Sequence, residues 1–110
     1  MAVESIILPE ADQEIADAYH WLERRDVGLG KDFVRCVDAA IATICQMPEA
    51  YARALDDFRH FKVRRFPYTI YYEFTGGVVV VYSVFHCSQD PARLRTALWL
   101  RKPRRPDDDT

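Results

Sequence analysis

The chain has 110 residues, of which 49% are hydrophobic, so one domain with a core of its own is expected. A formal net charge of −2 excludes bulk charge as a reason to bind nucleic acid, and the longest apolar run, Val78–Phe85, is far short of the ~18 residues that suggest a membrane helix. Glu4 and Glu10 occupy the region where a signal peptide would be basic, so a cytoplasmic protein is expected.

Val3, Ile6, Ile7 and Leu8 predict a short first strand. Pro9 suits the first turn of a helix, with Glu10, Asp12 and Glu14 near its positive end. Ile15, Ala18, Tyr19 and Leu22 recur at helical spacing and make one apolar stripe, which Gly28 and Gly30 end. A second helix carries Phe33, Val37, Ile41 and Ile44 on a single face and stops at Pro48. The short turn between the two predicts an antiparallel pair.

Residues 49–57 read as a loop, Phe58–Phe61 as a short strand and Val63–Arg65 as a connection. Tyr68, Ile70, Tyr72 and Phe74 alternate with Thr69, Tyr71 and Glu73, the period of a strand. Gly76 and Gly77 supply a tight turn into Val78–His86, which is apolar nearly throughout and so expected inside the sheet. With those glycines as turn residues, Phe74 faces Val79, Tyr72 faces Val81, Ile70 faces Ser83 and Tyr68 faces Phe85, all toward the helices. The other face then holds Glu73 with Val80, Tyr71 with Tyr82 and Thr69 with Val84, and Pro67 comes near His86. A slip of one residue would exchange the faces.

Ala92–Leu100 predicts a last helix contacting through Leu94, Leu98 and Trp99, and Asp90 before Pro91 suits its cap. Arg101–Thr110 has two prolines and blocks of both charge signs and reads as a disordered tail. The expected organisation is one domain over 1–100 and a tail over 101–110. The expected architecture is α+β, in the order β-α-α-β-β-β, with a two-helix hairpin on one face of a small antiparallel sheet and a short C-terminal helix.

The three cysteines, Cys36, Cys45 and Cys87, include no C-x-x-C pair, and His20, His60 and His86 have no ligand spacing. Neither a disulfide framework nor a metal site is expected, and the cysteines read as small buried hydrophobes. Acidic residues lie early and mid-chain, at Asp12, Glu14, Asp17, Glu23, Asp56 and Asp57, while basic ones gather in the hairpin and near the end. A basic surface on an otherwise acidic molecule follows.

Arg59, His60, Lys62, Arg64, Arg65 and His86 form the set richest in chemistry. RNA cleavage without a metal needs a base for the 2′-hydroxyl, an acid for the leaving oxygen and cations for the phosphorane, and this set holds each type. The plainer reading is that cations at a hairpin end are solvated or meet a partner's carboxylates, and from the residues alone it is the better one. Tyr71 and Tyr82 are expected with Val80 and Val84 on the face away from the helices, an apolar patch that needs a partner or the C-terminal segment to cover it.

Arg65-Phe66-Pro67-Tyr68, followed by an aromatic strand, a short turn, an aliphatic strand and His86, Asp90 and Pro91, resembles the RelE/ParE superfamily of bacterial toxins. The resemblance implies the toxin half of a type II toxin–antitoxin module, without a cofactor, neutralised by a cognate antitoxin whose extended or helical segment wraps it. RelE-like members cut mRNA on the ribosome with basic residues, and Lys62, Arg64, Arg65 and His86 are the residues that would serve here. Against that branch, Gln89 stands where many relatives carry the arginine of H-x-x-R-D-P, His60 stands where a second arginine is expected, and Trp99 follows with no Tyr or His after His86. ParE-like members lack the nuclease set and inhibit DNA gyrase by binding. The resemblance is closer to them and implies a binding toxin rather than an enzyme, with partner contacts at Arg59, Tyr71, Tyr82, Arg95 and Trp99. It implies no membrane partner and no sequence-specific DNA binding by this chain alone. Two alternatives stand: a ribosome-dependent endoribonuclease, and an inactive homologue retained as an antitoxin-binding module.

Overall fold

Pro9 occupies the first turn of α1 (Pro9–Arg25), where its missing N–H is no loss, and Glu10 and Asp12 complement the positive helix end. The computed structural model describes residues 3–55 and 57–102. Around α1 the order is β1 (Glu4–Ile7), then α2 (Leu29–Gln46), β2 (Arg53–Leu55), β3 (Phe58–Lys62), β4 (Tyr68–Thr75), β5 (Val78–His86) and α3 (Pro91–Arg101). The α+β class, the helical hairpin and the C-terminal helix are as expected. The strand count is not.

Gly28 turns the chain between α1 and α2 at φ 88°, and Gly30 lets the helices touch. A Cβ at Gly30 would lie 2.6 Å from the Tyr19 carbonyl oxygen. The Gly30 N–H instead donates to Glu23 Oε1 at 2.9 Å. The Gly28 backbone donor above all, with those of Gly30 and Lys31 and the Lys31 charge, holds the Glu23 carboxyl below its usual range against the opposing effect of desolvation.

The sheet runs β1-β5-β4-β3-β2. Four strands follow α2 rather than three, because Arg53–Leu55 pairs with β3. Three residues with no alternation carry no strand signal, and the pairing is supplied by β3 alone. The sheet is mixed rather than wholly antiparallel, since β1 lies parallel to β5. That contact joins segments far apart in the chain, and no local pattern records it.

Gly76 and Gly77 have φ of 59° and 77°, both left-handed, as a type I′ turn requires. The expected pairs Phe74–Val79 and Tyr72–Val81 form. Beyond them the register shifts by one: Tyr71 pairs with Ser83, Ile70 with Val84, Thr69 with Phe85 and Tyr68 with His86. The expected pairs Ile70–Ser83, Tyr68–Phe85, Thr69–Val84 and Tyr71–Tyr82 are therefore corrected, and Val84 lies on the side of the helices rather than away from them. The cause is a β-bulge with Tyr82 as the extra residue. Such a bulge leaves no trace in the pattern of a strand that is apolar on both faces.

Two cores result. The larger lies between the helical hairpin and the sheet, around Phe33, Val37, Ile44, Ile70, Tyr72, Val79, Val81 and Val84. The smaller lies on the opposite sheet face, where Leu94 and Leu98 of α3 pack on Phe58 and Tyr82. Asp90 caps α3, its carboxylate accepting the Ala92 N–H at 3.0 Å. Arg101 closes α3 and Lys102 follows it, so both belong to the fold rather than to a tail. The rest of the expected tail, 103–110, lies outside the described residues. Cys45 is buried as read, but Cys36 is half-buried and Cys87 is exposed.

Tyr72 is fully buried, and its hydroxyl donates to the Pro48 carbonyl at 2.8 Å. Burial pushes its phenol up to about 12, with Arg59 pulling the other way. The unfolded chain releases this proton near pH 10 and the folded chain holds it to about 12. The contribution is therefore complete below pH ~10 and is lost as pH rises toward 12, by at most ~1.4 kcal/mol per pH unit. Urea unfolding followed between pH 9 and 11.5 should show a decline that is smaller in Tyr72→Phe. Equal declines would show that Tyr72 is not the group responsible.

Candidate functional site

Strand alternation sorts the basic residues onto two faces. In β3, Phe58, His60 and Lys62 point to the side of α3, and Arg59 and Phe61, with Val63 just after the strand, to the side of the helical hairpin. Arg59 is engaged structurally, its guanidinium donating to the Glu49 and Tyr51 carbonyls at 3.1 and 2.7 Å. His60 pairs with Tyr71 across the ladder, and their rings lie 6.3 Å apart at 33°. Lys62 is exposed beside Thr69, whose hydroxyl is 3.5 Å from Cys87 Sγ. Arg64 and Arg65 occupy the exposed turn between β3 and β4. Arg65 holds a left-handed φ of 72° and sets its guanidinium over the Phe66 ring at 5.8 Å.

The bulge at Tyr82 moves His86 away from this group. In the unbulged register His86 shares a face with Tyr71. In the observed one it pairs with Tyr68, and its ring meets the Tyr68 ring edge-on at 4.9 Å on the hairpin side. His86 Nδ1 accepts the Ser88 N–H at 3.0 Å and lies 2.7 Å from the Ser88 hydroxyl. The sheet thus separates Lys62 from His86. General acid–base cleavage needs both groups within hydrogen-bond reach of one phosphate, and this pair does not converge. No cluster of His, Cys, Asp or Glu among the described residues could hold a metal.

Of the expected partner contacts, Tyr82 is only 1% exposed, since α3 covers it and the Phe58 ring meets it edge-on at 4.9 Å. The C-terminal segment fills the place that an apolar patch on this face demanded. Tyr71 is half-buried at the margin of that core. Arg95 and Trp99 are exposed, with Trp99 64% accessible. Helical spacing puts them on the flank of α3 that also bears Lys102, whose ammonium lies 5.6 Å above the Phe58 ring and 3.6 Å from Glu73. At Lys102 that flank meets Phe58 of β3 and Glu73 of β4.

Two features escaped the reading of the residues. Glu14, assigned only to the helix dipole, accepts from Arg101 at 2.9 Å, from the Ser83 hydroxyl at 2.9 Å and from the Val84 N–H at 3.2 Å. Arg101 also donates to the Tyr82 carbonyl at 3.0 Å, so the pair grips both sides of the bulge. The only sequence signal was a basic residue ending a helix. The second feature is an open groove of about 750 Å³ between α1, the edge of β5 and α3, with Trp21 on one wall and Arg93 on the other.

A helical hairpin and a C-terminal helix packed on opposite faces of one mixed sheet define a small α+β protein. The family model of the ParE toxin of type II toxin–antitoxin systems, parDE, matches residues 6–91, and the chain belongs to that family. It is similar in fold to a solved chain of the chromosomal ParDE TA system from P. aeruginosa, with a TM-score of 0.68, 11% identity, and 77% of this chain and 96% of that one covered. None of the curated proteins matches it.

Proposed function

We propose that this chain is a toxin that arrests growth by binding DNA gyrase and is held inactive by a cognate antitoxin. The observation that carries the reading is the ParE family match over residues 6–91. Binding rather than cutting is supported by the sheet that parts Lys62 from His86. The open face of His60, Lys62 and Tyr71, and the exposed Arg95 and Trp99 of α3, offer cations and aromatic rings to a protein target, the residue types that dominate contact energies. A gyrase target implies action in the cytoplasm. Among the described residues no helix is long and apolar enough to cross a membrane.

The test is induction of the chain alone in bacteria, with nascent DNA and nascent protein pulse-labelled. DNA synthesis should fall first, with mRNA intact, and Lys62→Ala combined with His86→Ala should still arrest growth. Translation falling first, with cleaved mRNA, would overturn the proposal in favour of a ribosome-dependent endoribonuclease using Lys62, Arg64, Arg65 and His86. No growth effect at any expression level would leave an inactive homologue that binds only an antitoxin.

A further inference from the structure

The net charge of −2 hides a polarised sheet. Between Phe58 and Gln89 the chain holds a single carboxylate, Glu73, and Lys102 pairs with it. Along β4, Glu73 stands about 13 Å from Thr69, the partner of Lys62. At that opposite end the β3–β4 turn carries Arg64 and Arg65 next to Lys62. All three are exposed, and none has an ion pair among the described residues. The Cys87 N–H donates to the Pro67 carbonyl at 2.8 Å, so β5 leaves the sheet beside this turn and brings the exposed Ser88 and Gln89 to it. Asp90 follows, its carboxylate engaged by the Ala92 N–H at the start of α3. Phe33 meets the Phe66 and Tyr68 rings, so the α1–α2 turn lies at this end as well. There Arg24, Arg25 and Lys31 are balanced by Glu23, Asp26 and Asp32. The excess of positive charge therefore belongs to the β3–β4 turn.

Arg65 sits in that turn at a φ of 72°, a left-handed conformation that glycine takes without strain and arginine does not. Its guanidinium lies over the Phe66 ring, which limits where the cation can go. The surroundings decide what such cations meet. An acidic protein segment would draw its affinity from apolar anchors. Neither 62–67 nor 86–89 contains any of the exposed large hydrophobic residues: Val63 and Phe66 are buried, and the exposed side chains are cations, a proline, a thiol, a hydroxyl and an amide. Cations and hydrogen-bond donors without an apolar anchor suit a polyanion, which is held by charge neutralisation and counterion release. The arginine fork fits a phosphate with two parallel hydrogen bonds. A short turn of this kind meets the phosphate backbone, which carries no sequence information. The proposed target works on duplex DNA, so that polyanion lies beside the bound toxin.

We propose that the β3–β4 turn, through Arg64 and Arg65 with Lys62 beside them, contacts the phosphate backbone of duplex DNA without regard to sequence. Naming DNA as the polyanion rests on the gyrase reading. The test is fluorescence anisotropy of two labelled DNA duplexes of unrelated sequence, and of a single-stranded RNA, titrated at several salt concentrations. The proteins are the parent, Arg64→Gln with Arg65→Gly, and Arg53→Gln. Glycine accepts the left-handed φ at position 65, so the double variant should keep the parent's melting temperature. Both duplexes should bind alike. Three phosphate contacts give log K against log salt a slope of about −2.7, and the double variant about −0.9, with binding about tenfold weaker at low salt. Arg53→Gln removes an exposed cation from the edge strand β2 and should stay within about twofold of the parent. A duplex that does not bind, or a folded double variant that binds as tightly as the parent, overturns the proposal. So does an equal loss in Arg53→Gln, which would make binding a property of overall charge. RNA bound more tightly than either duplex would give the turn to RNA and also overturns it. The readout needs no gyrase. A chain that binds duplex DNA through this turn yet leaves DNA synthesis running therefore contradicts the gyrase reading and supports the contact.

Discussion

Glu14→Ala should lower the free energy of unfolding by about 3 kcal/mol, which for a domain of this size is roughly 10–20 °C in Tm. The carboxylate is the shared acceptor of three donors from distant parts of the chain. Ser83, fully buried, gives its hydroxyl; Val84 gives a strand-edge N–H; Arg101 gives its guanidinium. Alanine strands all three, and an unmet buried donor costs about 1–3 kcal/mol, more when charged. Water reaches part of the site, since the Glu14 and Arg101 side chains are 23% and 16% exposed, which holds the total below the sum. Glu14→Gln keeps the shape and one acceptor and should cost about 1–2 kcal/mol. Arg101→Ala should cost less than Glu14→Ala, because Ser83 and Val84 keep their acceptor. A double-mutant cycle over Glu14 and Arg101 should give a coupling above ~1 kcal/mol. If urea melts put Glu14→Ala within ~0.5 kcal/mol of the parent, the network does not stabilise the fold.

Leu98→Ala should cost about 3 kcal/mol, and Leu100→Ala less than ~0.5 kcal/mol, although the two leucines are neighbours on one helix. Leu98 is 1% exposed and packs in the small core with Leu94, Phe58 and Tyr82. Leu100 is 81% exposed. Removing Leu98 leaves a cavity over the Phe58–Tyr82 pair, and α3 is then held by Leu94, by Arg101 on Glu14 and the Tyr82 carbonyl, and by the Lys102–Glu73 contact. The near-ultraviolet dichroism of the aromatic pair should weaken in Leu98→Ala and not in Leu100→Ala. Similar losses in both variants would mean that α3 does not pack on the sheet through the Leu94–Leu98 face.

Much of this architecture was legible before any coordinates, and for reasons that act over a few residues. Pro9 and the acidic turn after it start α1, and stripes at helical spacing fill α1 and α2. Gly76 and Gly77 turn β4 into β5, and Asp90 caps α3. An apolar face requiring cover was also legible, and α3 covers it. β2 was not legible, because three residues take their strand character from β3 rather than from their own chemistry.

The candidate site shows where local reasoning stops. Read without a bulge, β5 puts His86 on the same sheet face as Tyr71 and Lys62, where a nuclease-like set would assemble. One extra residue at Tyr82 turns His86 to the other face, where it meets Tyr68. Val78–His86 is apolar at almost every position, so either register buries it equally well, and the pattern cannot choose. The choice is made by Glu14 and Arg101, which hold the backbone on both sides of the bulge and stand 87 residues apart. Helix ends, turns, alternation and family membership are written in short linear strings, because the forces behind them act between near neighbours. Which face each cation takes, which edge is closed and which groove stays open depend on contacts across the whole chain, and these exist only once it has folded.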